Sequence, residues 1–351
     1  MSHQDDFNDA ADEWFALEAD SFPRVPRPLI AVRGTVDLPV LDTPGFQKNP
    51  EVVKAALLIL SQSPTARAFA TTAIEAGYRI YVDPPSLSGA GPQFEEGASG
   101  NTDHANRRIN VRGGEDPLKL AMILAHELAH VSQIIDGGLD MTVSRLHPLD
   151  AIKQLLAMEG DARAHEFLIA SELCLRKPGD PSERLLFPSM LEVAAESIGY
   201  AMAAKIIAEA KPELEKGAHP AAWMAKIFKG FYASPGLREH YENTILFSLE
   251  TLEREQPGTL KDAALFQGGL SQMELIRKLG SRGMSYLDTH AEGYINLDAP
   301  LMASVSARTQ ENLLAFEATR HENPETLSQK SWRGEAYTLL KAKKPGAGPA
   351  P

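Results

Sequence analysis

The chain of 351 residues holds one cysteine, Cys174, so no intramolecular disulfide can brace it. That fits a reducing compartment or a cysteine-poor exported protein. Basic charge is also scarce, with 35 Lys and Arg against 47 Asp and Glu and a formal net charge of -12. An acidic surface repels a phosphate backbone, and no local basic stripe relieves it, so nucleic acid is not an expected partner. Long apolar runs are missing too. The stretch Leu118 to Ala125, itself broken by Lys119, is far short of the ~20 residues that span a bilayer, and His126 and Glu127 interrupt it. The opening residues MSHQDDFNDAADEWFALEAD contain no apolar segment of the kind a Sec signal peptide needs. The expectation is a soluble protein with no membrane span, cytoplasmic unless a signal-less route exports it. What the chain does have is 43% hydrophobic residues, enough to bury a sizeable core.

Residues 1–49 are acidic and rich in proline (Pro23, Pro26, Pro28, Pro39, Pro44), and read as a partly disordered arm with one short strand at Leu29–Val32. Helical periodicity runs from Pro50 to Gly77 and breaks at Ser63-Pro64, where Ser63 can cap a second helix. Residues 78–82 (YRIYV) and 108–112 (RINVR) alternate as strands do. Between them, residues 83–105 read as a long Gly/Pro/Ser loop, a length typical of a functional flap or of disorder. Asp116-Pro117 opens a helix that Gly137-Gly138 closes. A further helix runs from Pro148 to about Leu175. Beyond it the predicted helices are 186–210, 219–232, 236–255, 260–280, 303–319 and 331–343. This gives an α+β, predominantly helical chain: an arm at 1–49, a catalytic core at 50–180, a helical region at 181–342 and a disordered tail at 343–351.

The chemistry concentrates in His126-Glu127-Leu128-Ala129-His130, an HExxH motif. On a helix, positions i and i+4 share a face, so both imidazoles can reach one tetrahedral ion. Glu127 lies one step round, where it can accept a proton from a metal-activated water without being a ligand. The surrounding helix is apolar on nearly every side, so these polar groups are expected inside the protein and need partners. A third ligand has three candidates. Asp136 stands six residues after His130, but the extended motif that uses this position needs a glycine where Gln133 simply continues the helix. His147 precedes the next helix. Glu159 falls on a helical stripe with Ile152, Leu155, Leu156, Arg163, Glu166 and Ala170, and a core-facing carboxylate needs a cation. Arg163 and Glu166 could support it from one and two turns away. Asp161 and His165 point to the other side and are expected in solvent.

HELAH, a strand just before it and a Glu-bearing helix just after resemble the gluzincin branch of the zincin metallopeptidases. The element order over about residues 50–175 is similar to that of small bacterial metallopeptidases, some of them secreted effectors. The resemblance implies a zinc ion held by His126, His130 and Glu159, with Glu127 as general base and a protein or peptide as substrate. Thermolysin-like enzymes carry Asp four residues after the ligand Glu. Here that position is Arg163, so the histidines must be oriented from elsewhere. For the oxyanion, Tyr200, Tyr232, Tyr241, Tyr286 and His240 remain open. Strand 108–112 is expected as a sheet edge that pairs with substrate under the 83–105 flap. The rival reading is a non-catalytic zincin-fold scaffold with a structural zinc site.

Overall fold

A computed structural model of the chain describes residues 40–41, 50–83, 100–112, 115–139, 146, 148–174, 183–215, 219–238, 240–241, 244–245, 269–280 and 286–287. Most of the expected arm, its strand Leu29–Val32 included, His147, residues 84–99 of the expected 83–105 flap, the helices 303–319 and 331–343, and the tail lie outside these residues, whereas Val40–Leu41 of the arm is described and forms a strand. So does most of 236–255 and 260–268.

The elements in chain order are β1 (Val40–Leu41), α1 (Pro50–Leu60), α2 (Pro64–Glu75), β2 (Arg79–Asp83), β3 (Gly100–Asp103) and β4 (Arg108–Arg112). They continue with α3 (Pro117–Ile135), α4 (Pro148–Cys174), α5 (Glu183–Ile198), α6 (Tyr200–Glu215), α7 (Pro220–Tyr232) and α8 (Gln272–Gly280). The fold is predominantly helical with one small sheet, as the sequence pattern implies. Contacts divide it into two compact units. The first holds 1–139, 158–234 and 277–294, and the second 140–157, 235–276 and 295–351. In the second, the Asp150 carboxylate accepts from Gly269 N at 2.8 Å and pairs with Lys153 at 3.1 Å.

The first unit carries the sheet, in the order β1-β2-β4-β3. Strands β1, β2 and β4 run parallel, and β3 is antiparallel to β4. This corrects two expectations. Strand 108–112 is central, not an edge, and Asn110 is buried beside Ile109 and Val111, with its Nδ2 donating to Asn101 Oδ1 at 2.7 Å. Among the described residues the edge on that side is β3, whose residues 100–103 fall inside the stretch read as loop. The segment GNTD has little strand propensity of its own, and pairing with β4 supplies what its side chains do not.

Helix α3 packs against α1, α2, α5, β3 and β4. Asp116 caps it by accepting from Leu118 N at 2.9 Å and Lys119 N at 3.1 Å. It is the one helix among the described residues long and apolar enough to cross a membrane, yet 72% of its apolar window is buried within the protein. Ser63 caps α2, as expected, and the Glu172 carboxylate of α4 braces the same helix start through Thr65 N and Thr65 Oγ1. Residues 186–210 do not form one helix. Gly199, at φ 79°, breaks the run into α5 and α6, a conformation a side chain would oppose.

Replacing Asp116 by Ala removes two charge-assisted bonds from the start of α3 and should cost about 1 kcal/mol of stability. Equilibrium denaturation in urea measures it, and an unchanged midpoint would show that tertiary packing alone holds this end.

Candidate metal centre

Helix α3 presents His126 and His130 one turn apart, and α4 presents Glu159 towards them. The Nε2 atoms of the two histidines are 3.0 Å apart. Glu159 Oε1 lies 3.1 Å from His126 Nε2, and Oε2 lies 3.3 Å from His130 Nε2. One ligand atom from each of the three residues falls within 4.8 Å of the others, a group able to hold a metal ion. Tetrahedral coordination with bonds of 2.0–2.1 Å puts neighbouring ligand atoms about 3.3 Å apart. The donor set therefore fits one small divalent cation. Asp136, the rival third ligand, is instead used elsewhere, accepting from Ser132 Oγ at 2.8 Å and Thr72 Oγ1 at 3.0 Å.

Burial explains the electrostatics. It opposes a charge on His126, but the Glu159 carboxylate, with help from Glu166, outweighs it and raises His126 to about 9. Burial likewise opposes ionisation of Glu159, and the adjoining His126 and His130 override it, holding the carboxyl well below its usual range. In the metal-free protein a proton on His126 thus lies between Glu159 and the other imidazole, where a cation would sit.

The far sides of both rings are held as well. His126 Nδ1 faces Glu166 Oε2 at 3.4 Å, and Arg163 donates to that same oxygen at 2.8 Å. Arg163 also lies 3.6 Å from Glu159 Oε1 and over the ring of Phe231. The structure thus brings Arg163 and Glu166, the two further polar residues of the helical stripe, alongside Glu159 and His126. His130 Nδ1 lies 2.9 Å from Gln133 Oε1, a partner that sequence reasoning passed over. The i, i+3 spacing from His130 was the available signal.

Glu127 is buried and points to the sheet edge: Thr102 Oγ1 donates to its Oε2 at 2.7 Å. Gly100 makes this approach feasible, since a Cβ there would stand 2.6 Å from Ile123 Cγ2 and 3.0 Å from Glu127 Oε1. Beyond the strand, His104 Nδ1 meets the Tyr78 hydroxyl at 2.7 Å. Burial, and then the charge of His130, press His104 down to about 4.

Asp161 and His165 are not in solvent. Asp161 is fully enclosed and His165 is 2% exposed, because residues 151–170 of α4 are buried on every side and the helix has no solvent face there. Among the oxyanion candidates, the Tyr286 hydroxyl donates to Asp161 Oδ1 at 2.9 Å. Tyr232 stacks on Phe228 at 5.5 Å, Tyr200 is 38% exposed, and His240 and Tyr241 pack edge to face.

With this geometry in view, the comparisons narrow the class. Residues 92–266 match the model of a family described as "Putative metallopeptidase family (DUF6782)", a stretch that contains His126, Glu127, His130 and Glu159. No curated protein and no solved structure gives a significant match to the chain. The family match and the His/His/Glu group together support a metal-dependent peptidase, and hence a hydrolase acting on protein or peptide.

The site also sets a pH response for the metal-free protein. A histidine raised from 6.5 to about 9 on folding stabilises the fold fully below about 6.5 and loses that contribution as pH rises through 9. Glu159, lowered on folding, contributes above about 4.5 and loses it as pH falls below that value. Melting temperatures of chelated protein should therefore decline from pH 7 to 9.5, and His126→Ala should flatten that limb. A wild-type melting temperature that rises over this range would contradict the pairing.

Proposed function

We propose that this chain is a zinc-dependent metallopeptidase in which His126, His130 and Glu159 hold the ion and Glu127 is the general base. The convergence of three ligand atoms from α3 and α4, those of His126 and Glu159 buried and that of His130 half-buried, with a carboxylate at the next residue, carries the reading. Two imidazoles and one carboxylate leave a coordination position open, the arrangement of catalytic rather than structural zinc. When bound, zinc supplies Lewis acidity at neutral pH, polarising the scissile carbonyl and making water acidic enough to attack.

The chain's own residues do the rest. Glu127 takes a proton from the attacking water and delivers it to the departing amine. Thr102 fixes which way that carboxylate faces, since it donates to Oε2. Among the described residues strand β3 pairs with β4 along one side only, so an extended peptide can lie along its other side, next to Glu127. The role first expected of strand 108–112 thus passes to 100–103. Arg163, by holding Glu166 against His126, keeps that ring turned with Nε2 towards Glu159.

Two variants test the reading against a scaffold. Glu127→Gln keeps volume and removes the proton acceptor, so zinc content should stay near one per chain while hydrolysis of a diverse peptide library stops. The loss belongs in kcat rather than KM, because the group acts in the transition state. Glu159→Ala should sharply lower zinc content. Wild-type protein that cleaves no more than Glu127→Gln would favour the scaffold, and undiminished zinc in Glu159→Ala would remove that residue from the site.

A further inference from the structure

We propose that Gln133 and Asp161 are positioning residues that fix the tautomer of His130, so that its Nε2 presents a lone pair to the metal. This rests on the reading of His130 as a ligand and adds two residues that the stripe of α4 does not reveal. The amide nitrogen of Gln133 donates to the Met158 carbonyl at 2.7 Å and to Asp161 Oδ2 at 2.7 Å. A carbonyl oxygen can only accept, and so can a carboxylate, so both N–H bonds of the amide are committed to that side. The amide oxygen must then face His130, and Nδ1, 2.9 Å away, must carry the hydrogen. An imidazole with hydrogen on Nδ1 has its lone pair on Nε2, the atom that faces Glu159.

Asp161 is itself held in place. It is fully buried, its Oδ1 accepts from the Tyr286 hydroxyl at 2.9 Å, and the same oxygen lies 3.2 Å from His165 Nδ1. His165 Nδ1 also donates to the Asp161 carbonyl at 2.9 Å. An enclosed carboxylate with donors on both oxygens is a fixed acceptor, and it prevents the Gln133 amide from turning over. Glu166 faces His126 from the other side of the site, so each imidazole has its own support on α4. The Asp that thermolysin-like enzymes carry four residues after the ligand Glu is here Arg163, and Asp161 serves the second histidine through an amide.

The experiment uses full-length protein with ring-15N histidine, as wild type, Gln133→Leu, Asp161→Asn and the double variant. With metal removed by chelation, ring 1H–15N correlations should show His130 as a single Nδ1–H tautomer in wild type. Both single variants should lose that state to a mixture or to Nε2–H. Zn2+ affinity, measured by competition with a fluorescent chelator, should weaken about 10–100-fold in each. Because Asp161 acts through Gln133, adding Asp161→Asn to Gln133→Leu should cost little more. If Gln133→Leu does not fold, Gln133→Met, with a more adaptable side chain, carries the same measurements. An unchanged tautomer in folded variants would overturn the proposal. So would Asp161→Asn costing as much without Gln133 as with it. Loss of the Nδ1–H state in variants of a protein that binds no Zn2+ would keep the relay and sink the metal reading. Zn2+ binding with an unaltered tautomer would do the reverse.

Discussion

The arrangement depends on one constraint: two imidazoles and a carboxylate brought together on two helices, His126 and Glu159 buried and His130 half-buried, with their acceptor atoms turned on one another. Burying a lone ionised carboxylate costs several kcal/mol, a large share of a small domain's margin of stability, so the group must be compensated where it stands. A proton on His126, which that carboxylate raises to about 9, does this in the metal-free protein. Around that point the surrounding contacts make sense. Arg163 holds Glu166 against one histidine, Gln133 holds the other, and Asp161 holds Gln133. Each added polar group partners the last, although His126 Nδ1 and Glu166 Oε1 are left buried without a hydrogen bond.

The same constraint ties the sheet to the chemistry. Glu127 leaves the helix on the side of β3, and a strand can come that close only without a side chain at position 100, hence Gly100. Thr102, two residues on and on the same face of the strand, then reaches Glu127. The edge strand that could take up an extended peptide is thereby the one that orients the proton acceptor. On the proposed reading, binding and catalysis meet in four residues of sequence with little propensity to mark them.

How much of this was legible in the sequence varies with the physics. Helix α3 could be read from Asp116-Pro117 to Gly137-Gly138 because its limits are set by local caps. Its chemical residues followed from i, i+4 geometry. Glu159, Arg163 and Glu166 were legible because they share a stripe, but that logic failed for Asp161 and His165. It assumes an opposite face in water, and this part of α4 has none. Gln133 was dismissed for not being a glycine, when its amide was the useful feature. Strand β3 was missed because its partner, not its composition, makes it a strand. The break at Gly199 was missed because apolar periodicity resumes on either side of it. Long-range pairing and burial on every side leave little trace in local pattern, and those are the cases where reading fell short.

The central claim is the ligand set, and X-ray absorption at the zinc edge of purified protein tests it most directly. The account predicts one zinc per chain with a shell of two imidazole nitrogens and one or two oxygens at about 2.0–2.1 Å. Glu159→Ala should lose that signal. A shell with one imidazole, or six oxygens, or no zinc in protein reconstituted with Zn2+, would contradict it.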